Sequence, residues 1–288
     1  MPNRANKILL CVCAALLVAV VALSVTLVMM TTLSDDIHIF ASADTENTSG
    51  KSEGNTTDDA LPVGKEDSDS SSPTRTGKMV AITFDDGPHN VRTKRVVDEL
   101  AKYGFHATFF VLGNRIDGTA YNGSSAIEYI YENGNEIAVH GYTHKVYYND
   151  CTDKEFENEL SWTEDAVRDI LPDFEATLMR PIGGAITSER IEDSPYAVIM
   201  WSVDSLDYEN EYLSSDTEEE KAAKLETVVE NVMSKVEDGD IILMHDIWQV
   251  TGDALEIILA RLHEEGYEVV TVSELLGNPR AGVKYSCG

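Results

Sequence analysis

The chain of 288 residues carries 51 acidic and 22 basic side chains, for a net charge of −29. Phosphate repels a surface of that sign, which excludes nucleic acid as a partner. A hydrophobic fraction of 43% is ample for one large folded domain with extensions.

Residues 8–30, from Ile8 to Met30, are 23 almost wholly apolar positions, and the uncharged run continues to Leu33. That length spans a bilayer as a helix. Arg4 and Lys7 precede it and Asp35 and Asp36 follow it, so the positive-inside rule places the N-terminus in the cytoplasm. The competing reading is a signal peptide cleaved after Ala41-Ser42-Ala43. The apolar core is longer than a usual signal core, however, and that site lies about ten residues beyond it. The expectation is an uncleaved signal anchor over 1–33, making the protein a single-pass component of the cell membrane. Residues 34–77 follow as an acidic linker. From 44 onward it is rich in Ser, Thr, Asp, Glu, Asn and Gly and lacks the apolar residues to offset ordering, so it reads as a disordered tether.

The domain expected over 78–288 holds 41 acidic and 17 basic residues. Such a balance suits an extracytoplasmic domain and names no substrate. Two of the four cysteines fall in the apolar run. The other two, Cys151 and Cys287, would face an oxidising exterior where a disulfide can form. Apolar strands alternate with amphipathic helices through this domain. Strands are expected at 79–84, 108–112, 136–140, 177–181, 197–203, 240–245 and 268–272. Helices are expected near 91–103, 123–133, 154–170, 217–236 and 252–265. Thr217 and Glu220 are spaced as a capping box, and Gly104 and Gly266 stand where C-terminal caps belong. Seven strands alternating with helices imply an α/β fold, a distorted (β/α) barrel of about seven parallel strands.

Residues able to carry chemistry cluster at the C-terminal strand ends. Asp85 and Asp86 follow the first strand, and His140 and His144 the third. Arg180 ends the fourth strand, Asp204 the fifth, and His245 and Asp246 the sixth. In a parallel barrel those ends meet on one face, where sites are built. Adjacent carboxylates raise each other's pKa unless something neutralises one of them. Asp with two histidines makes a three-ligand site with an open position, the arrangement of a hydrolytic metal centre. An HExxH protease is excluded, because position 141 is Gly and supplies no base.

Five stretches occur in order: Thr83-Phe84-Asp85-Asp86-Gly87, His140-Gly141-Tyr142-Thr143-His144, Arg180-Pro181-Ile182-Gly183-Gly184, Asp204-Ser205-Leu206-Asp207-Tyr208 and Leu243-Met244-His245-Asp246. Over residues 78–275 the chain resembles the polysaccharide deacetylases with a NodB-homology domain, carbohydrate esterase family four. Within that family it is similar to membrane-anchored peptidoglycan N-acetylglucosamine deacetylases. The resemblance implies metal-dependent removal of acetyl groups from sugars, with one divalent ion, zinc first, cobalt or another in its place.

Carried over by position, it implies Asp85 as general base, with Asp86, His140 and His144 as metal ligands. Arg180 would orient Asp85, His245 would act as general acid, and Asp204 would hold the His245 imidazole. Gly183 would offer a backbone N–H to the oxyanion, Leu243 would wall the acetyl pocket, and Tyr208 would contact the sugar. Two departures bear on the substrate. The family's Arg-Pro-Pro-Tyr-Gly motif has Ile182 and Gly183 here, opening one groove wall, and Tyr208 replaces a Trp.

The implied partner is an acetylated polysaccharide, with the membrane engaged through the N-terminal helix and no protein partner. Peptidoglycan N-acetylglucosamine is favoured; N-acetylmuramic acid, chitin-like oligomers and acetylated xylan are the alternatives. An inactive sugar-binding module and a metal phosphoesterase are the readings from other classes. The intact constellation argues against the first, and a single arginine on an acidic surface against the second.

Overall fold

Strands and helices alternate from residue 78 onward in a computed structural model that describes residues 77–118 and 123–288. The order is β1 (Lys78–Asp85), α1 (Arg92–Ala101), β2 (Thr108–Leu112), α2 (Gly113–Ile116), α3 (Ser124–Glu132), β3 (Glu136–Gly141), α4 (Asp153–Arg168) and β4 (Leu178–Met179). It continues with α5 (Ser188–Glu192), β5 (Ala197–Ile199), β6 (Val203–Asp204), α6 (Glu218–Met233), β7 (Ile241–His245), α7 (Gln249–Glu264), β8 (Tyr267–Val270), α8 (Val272–Leu276) and β9 (Lys284–Tyr285). The expected membrane anchor and linker lie outside the described residues. Among the described residues no helix is long and apolar enough to cross a membrane.

Strands pair in parallel throughout, in the order β6-β7-β1-β2-β3-β4-β5-β9, with β8 pairing the first half of β1. The expected strand at 197–203 is broken. Its halves, β5 and β6, stand toward opposite ends of this order, and only residues 200–202 join them. Four Cα steps reach no more than about 14 Å, so the two flanks of the sheet must approach each other there. Met200 N donates to Tyr285 O of β9 at 2.7 Å, and Ser202 N to Ile241 O of β7 at 3.0 Å. The sheet is thus curled into a distorted barrel with one irregular seam.

Two other expectations shift for local reasons. The stretch 268–272 ends early, because Thr271 and Glu274 form a capping box that starts α8. The stretch 177–181 keeps only Leu178–Met179 as strand, since Pro181 has no N–H to extend the ladder. Thr217 and Glu220 do form a capping box, and Gly104 and Gly266 take positive φ just past their helices.

Side-chain parity places the site. Alternate residues of a strand face opposite sides. On β1, Val80, Ile82 and Phe84 join Val96, Leu100, Ile258 and Leu262 in the core beneath the helices, while Ala81 packs inward with Phe110, Ala138, Ala197 and Ile241. The inward set continues upward as Thr83 and Asp85 on β1, His140 on β3, Arg180 just after β4, and Leu243 and His245 on β7. The apolar residues thus fill the bottom of the barrel, and polar groups gather at its C-terminal mouth. Truncating a buried leucine such as Leu259 of the helix-facing core would cost about 2–5 kcal/mol.

Candidate active site

Asp85 ends β1, beside His245 in the β1–β7 register. Arg180 fixes it: Nη1 donates to Asp85 Oδ1 at 2.7 Å and to Thr83 Oγ1 at 2.8 Å. The rest of the guanidinium donates to Ile199 O and Met200 O, at 3.1 and 3.0 Å. Arg180 is fully buried and lies over the Phe110 ring, 4.2 Å from its centroid. A cation so enclosed keeps Asp85 paired and its second oxygen aimed elsewhere. That oxygen, Oδ2, lies 3.7 Å from His140 Nε2.

Asp86 leaves the strand with φ 68°, which turns its carboxylate toward the histidines. Its Oδ1 is buried and accepts no hydrogen bond, yet sits 3.0 Å from His144 Nε2 and 3.4 Å from His140 Nε2. His140 Nδ1 lies 2.8 Å from Arg180 O. A carbonyl only accepts, so Nδ1 carries the proton and Nε2 presents a lone pair. An orphaned carboxylate oxygen facing imidazole nitrogens is the donor set a divalent cation requires. The three ligand atoms lie within 4.8 Å of one another. Burial would raise the Asp86 carboxyl, but His144 and His140 outweigh it and hold it well below the usual carboxylate range.

The loop after β3 does not form the helical turn that His-x-x-x-His spacing would allow. Instead His144 takes φ 59°, and Glu159 of α4 grips the loop. Its carboxylate accepts from Tyr142 N and Thr143 N, both at 2.7 Å, and from Thr143 Oγ1 at 2.8 Å. Gly141 has φ 133°, and a Cβ there would lie 2.6 Å from Tyr148 Oη. Glu159 is 3% exposed. Its role was not legible in the sequence, because it lies on a distant helix outside every motif.

The His245 imidazole is held by Asp207, not by Asp204. Asp207 Oδ1 lies 2.7 Å from His245 Nδ1, and Oδ2 accepts from His245 N at 2.7 Å and Thr251 Oγ1 at 2.6 Å. The assignment of Asp204 is therefore corrected. Asp204 ends β6 and its Oδ1 accepts from Leu206 N at 2.9 Å. Leu206 then takes φ 52°, which turns the chain and brings Asp207, fully buried, beneath the imidazole. Burial lowers the His245 pKa, but Asp207, with Asp86 and Asp85, outweighs it and raises it to about 10.

The remaining expected residues fall around these groups. Leu243 is buried two residues before His245 and so shares its inward face. Gly183 sits in a 3-10 turn with φ 59°, where Gly184 N donates to Pro181 O at 2.9 Å. Tyr208 is exposed and meets the His245 ring edge-on, centroids 5.5 Å apart. Asp246 is buried beside Gly87, accepts from Thr93 Oγ1, and is pushed by burial up to about 7. Cys151 and Cys287 are both free thiols.

A family model described as polysaccharide deacetylase matches residues 72–196. The peptidoglycan-N-acetylmuramic acid deacetylase PdaC of Bacillus subtilis is 35% identical over 69% of this chain and 38% of its own length. Its solved structure superposes with a TM-score of 0.61 at 33% identity, covering 70% of this chain and 91% of that one. A peptidoglycan-N-acetylglucosamine deacetylase of Bacillus cereus is 33% identical over 69% of this chain and 88% of its own length. A family 4 acetyl xylan esterase from Clostridium thermocellum, solved with a cobalt ion, gives a TM-score of 0.62 at 28% identity, covering 73% of this chain and 98% of that one. The chain belongs to the polysaccharide deacetylase family, carbohydrate esterase family four. It spans well under half the length of the Bacillus subtilis relative.

Proposed function

We propose that the protein is a divalent-metal-dependent deacetylase that removes N-acetyl groups from a cell-envelope polysaccharide, foremost the N-acetylglucosamine of peptidoglycan. The observation that carries this reading is the division of labour at the barrel mouth. One carboxylate faces two imidazoles, its neighbour is paired to a buried arginine, and a third imidazole is backed by its own carboxylate. Asp86, His140 and His144 would hold the ion. When bound, such an ion supplies Lewis acidity to an acyl carbonyl and lowers the pKa of water.

The chain's own residues do the rest. Asp85, paired with Arg180 through one oxygen, takes a proton from the attacking water. The Gly183 N–H would donate to the negative charge that develops on the acyl oxygen, and Leu243 would bound the space for the methyl group. His245, held protonated by Asp207, gives its proton to the leaving nitrogen as the C–N bond breaks. Acetate and a free amine result. Positioned proton donors and acceptors of this kind contribute about 10²–10⁴-fold each.

The substrate class is supported by the peptidoglycan deacetylases among the relatives. The apolar run at 8–30 and the polar linker after it support a site carried on a tether outside the cell membrane. The deciding experiment treats peptidoglycan and N-acetylglucosamine oligomers with the full-length protein, with and without a chelator. Mass spectrometry should show loss of acetyl groups from N-acetylglucosamine, abolished by the chelator and restored by zinc or cobalt. Acetyl loss confined to N-acetylmuramic acid or xylan would move the substrate to those alternatives. Full activity after verified metal removal would overturn the metal dependence.

A further inference from the structure

Gly183 has no side chain at the barrel mouth, and an aromatic residue from another loop lies against it. A Cβ built on Gly183 would lie 3.3 Å from Tyr147 Cε1 and 3.9 Å from Cδ1. The Tyr147 ring therefore packs directly beside the position that a side chain at 183 would start from. The departure that removes one groove wall is answered from another loop.

Tyr147 is not placed there by core packing. It is 45% exposed, whereas its neighbour Tyr148 is fully buried and does the anchoring. Tyr148 Oη donates to His140 O at 3.2 Å, Arg190 Nη1 donates to Tyr148 O at 2.6 Å, and Tyr148 bridges Ile186. Asp150 N donates to Tyr147 O at 3.1 Å. An exposed aromatic ring is thus held on a fastened segment, three residues after the His144 ligand. The exposed Tyr208 ring likewise meets His245 edge-on. Each of the two exposed rings abuts a group that handles the acyl unit, one at Gly183 and one at His245.

We infer that Tyr147 is a substrate-positioning residue that presents an aromatic face to the sugar carrying the acetyl group, in place of a side chain at 183. Resting on the deacetylase reading above, this names the residue that favours a polymer over a small acyl compound. The C–H face of a pyranose is apolar and packs on an aromatic ring, while the phenol oxygen stays in water. Such contacts are made before the reaction and persist through it, so they act on KM more than on kcat.

The test compares full-length wild type, Tyr147→Ala and Tyr147→Phe, each loaded with zinc, on the N-acetylglucosamine tetramer and on 4-methylumbelliferyl acetate. In Tyr147→Ala the tetramer KM should rise about tenfold, with kcat changed by less than about twofold, the mark of lost uniform binding. The ratio of tetramer to ester kcat/KM should fall by the same factor. Tyr147→Phe should restore the wild-type ratio, and metal content should match in all three. An unchanged ratio in Tyr147→Ala, with active wild type, would overturn the inference and leave the deacetylase reading intact. Equal losses on both substrates with reduced metal content would make Tyr147 a support of the ligand loop and overturn it as well. A wild type that releases no acetate from any oligomer would overturn the reading and the inference together.

Discussion

Asp207 holds His245 at two points, its Oδ1 2.7 Å from the ring Nδ1 and its Oδ2 2.7 Å from the backbone N. Ring and main chain are thereby locked to one buried carboxylate, which sets both the imidazole's orientation and its proton affinity. Asp207→Asn should lower the His245 pKa, so the protonated acid is lost at lower pH. The basic limb of the kcat/KM profile should move toward acid and turnover should fall by about 10²-fold. Asp204→Asn should leave that limb in place. A shift in Asp204→Asn and none in Asp207→Asn would make Asp204 the support of the imidazole.

Replacing each of the adjacent carboxylates should give different deficits. Asp86→Asn should lose bound metal along with activity, because it removes the anionic ligand. Asp85→Asn should keep its metal and lose turnover by about 10²-fold or more, the scale of losing a positioned base. Elemental analysis of the two purified variants, run beside acetate release, separates them. Equal metal loss would make both carboxylates ligands.

Glu159 should matter to metal binding without touching the ion. Glu159→Gln keeps the side chain's size but replaces an acceptor oxygen with an N–H₂ group. Either the two loop amides or the Thr143 hydroxyl would then lose its partner. Metal affinity should fall about 10–100-fold, the effect seen for groups that orient ligands. Competition with a metal indicator dye measures this directly, and unchanged affinity would show that the loop keeps its shape unaided.

Arg180→Met should leave Asp85 as a buried, unpaired charge and cost about 3–5 kcal/mol of stability. At about 2–4 °C per kcal/mol for a domain of this size, Tm should drop by roughly 10 °C. Adding Asp85→Asn to that variant should recover part of the loss, since the stranded charge is gone. No recovery in the double variant would place the cost in the lost bonds to Ile199 O and Met200 O instead.

Much of this architecture is legible in the sequence because strand parity and helix periodicity are local properties. The run Met79–Phe84, the capping box at Thr217 and the glycines at 104 and 266 each announce themselves within a few residues. Asp85, Asp86, His140 and Arg180 could be grouped because each lies at or next to the C-terminal end of a strand, and those ends share a face. What was misread depends on backbone turns that side-chain pattern does not encode. The left-handed Leu206 exchanges Asp204 for Asp207, and the seam at 200–202 divides an apolar stretch that reads as one strand. Glu159 and Tyr147 were invisible for another reason. Their partners, the loop amides at 142–143 and the Gly183 backbone, come near only once the chain has folded.

The seam gives Arg180 a second office. Two of its nitrogens bind the carbonyls of Ile199 and Met200, where the regular ladder gives out, while a third grips Asp85. The same side chain is the clasp of the barrel and the partner of the Asp85 carboxylate. Partial opening at this joint should release the Asp85 carboxylate at the same moment, so loosening and loss of activity should go together. On gentle heating, amide hydrogen exchange at Met200 and Ser202 should quicken in step with the loss of acetate release, and ahead of exchange in the β1–β7 ladder.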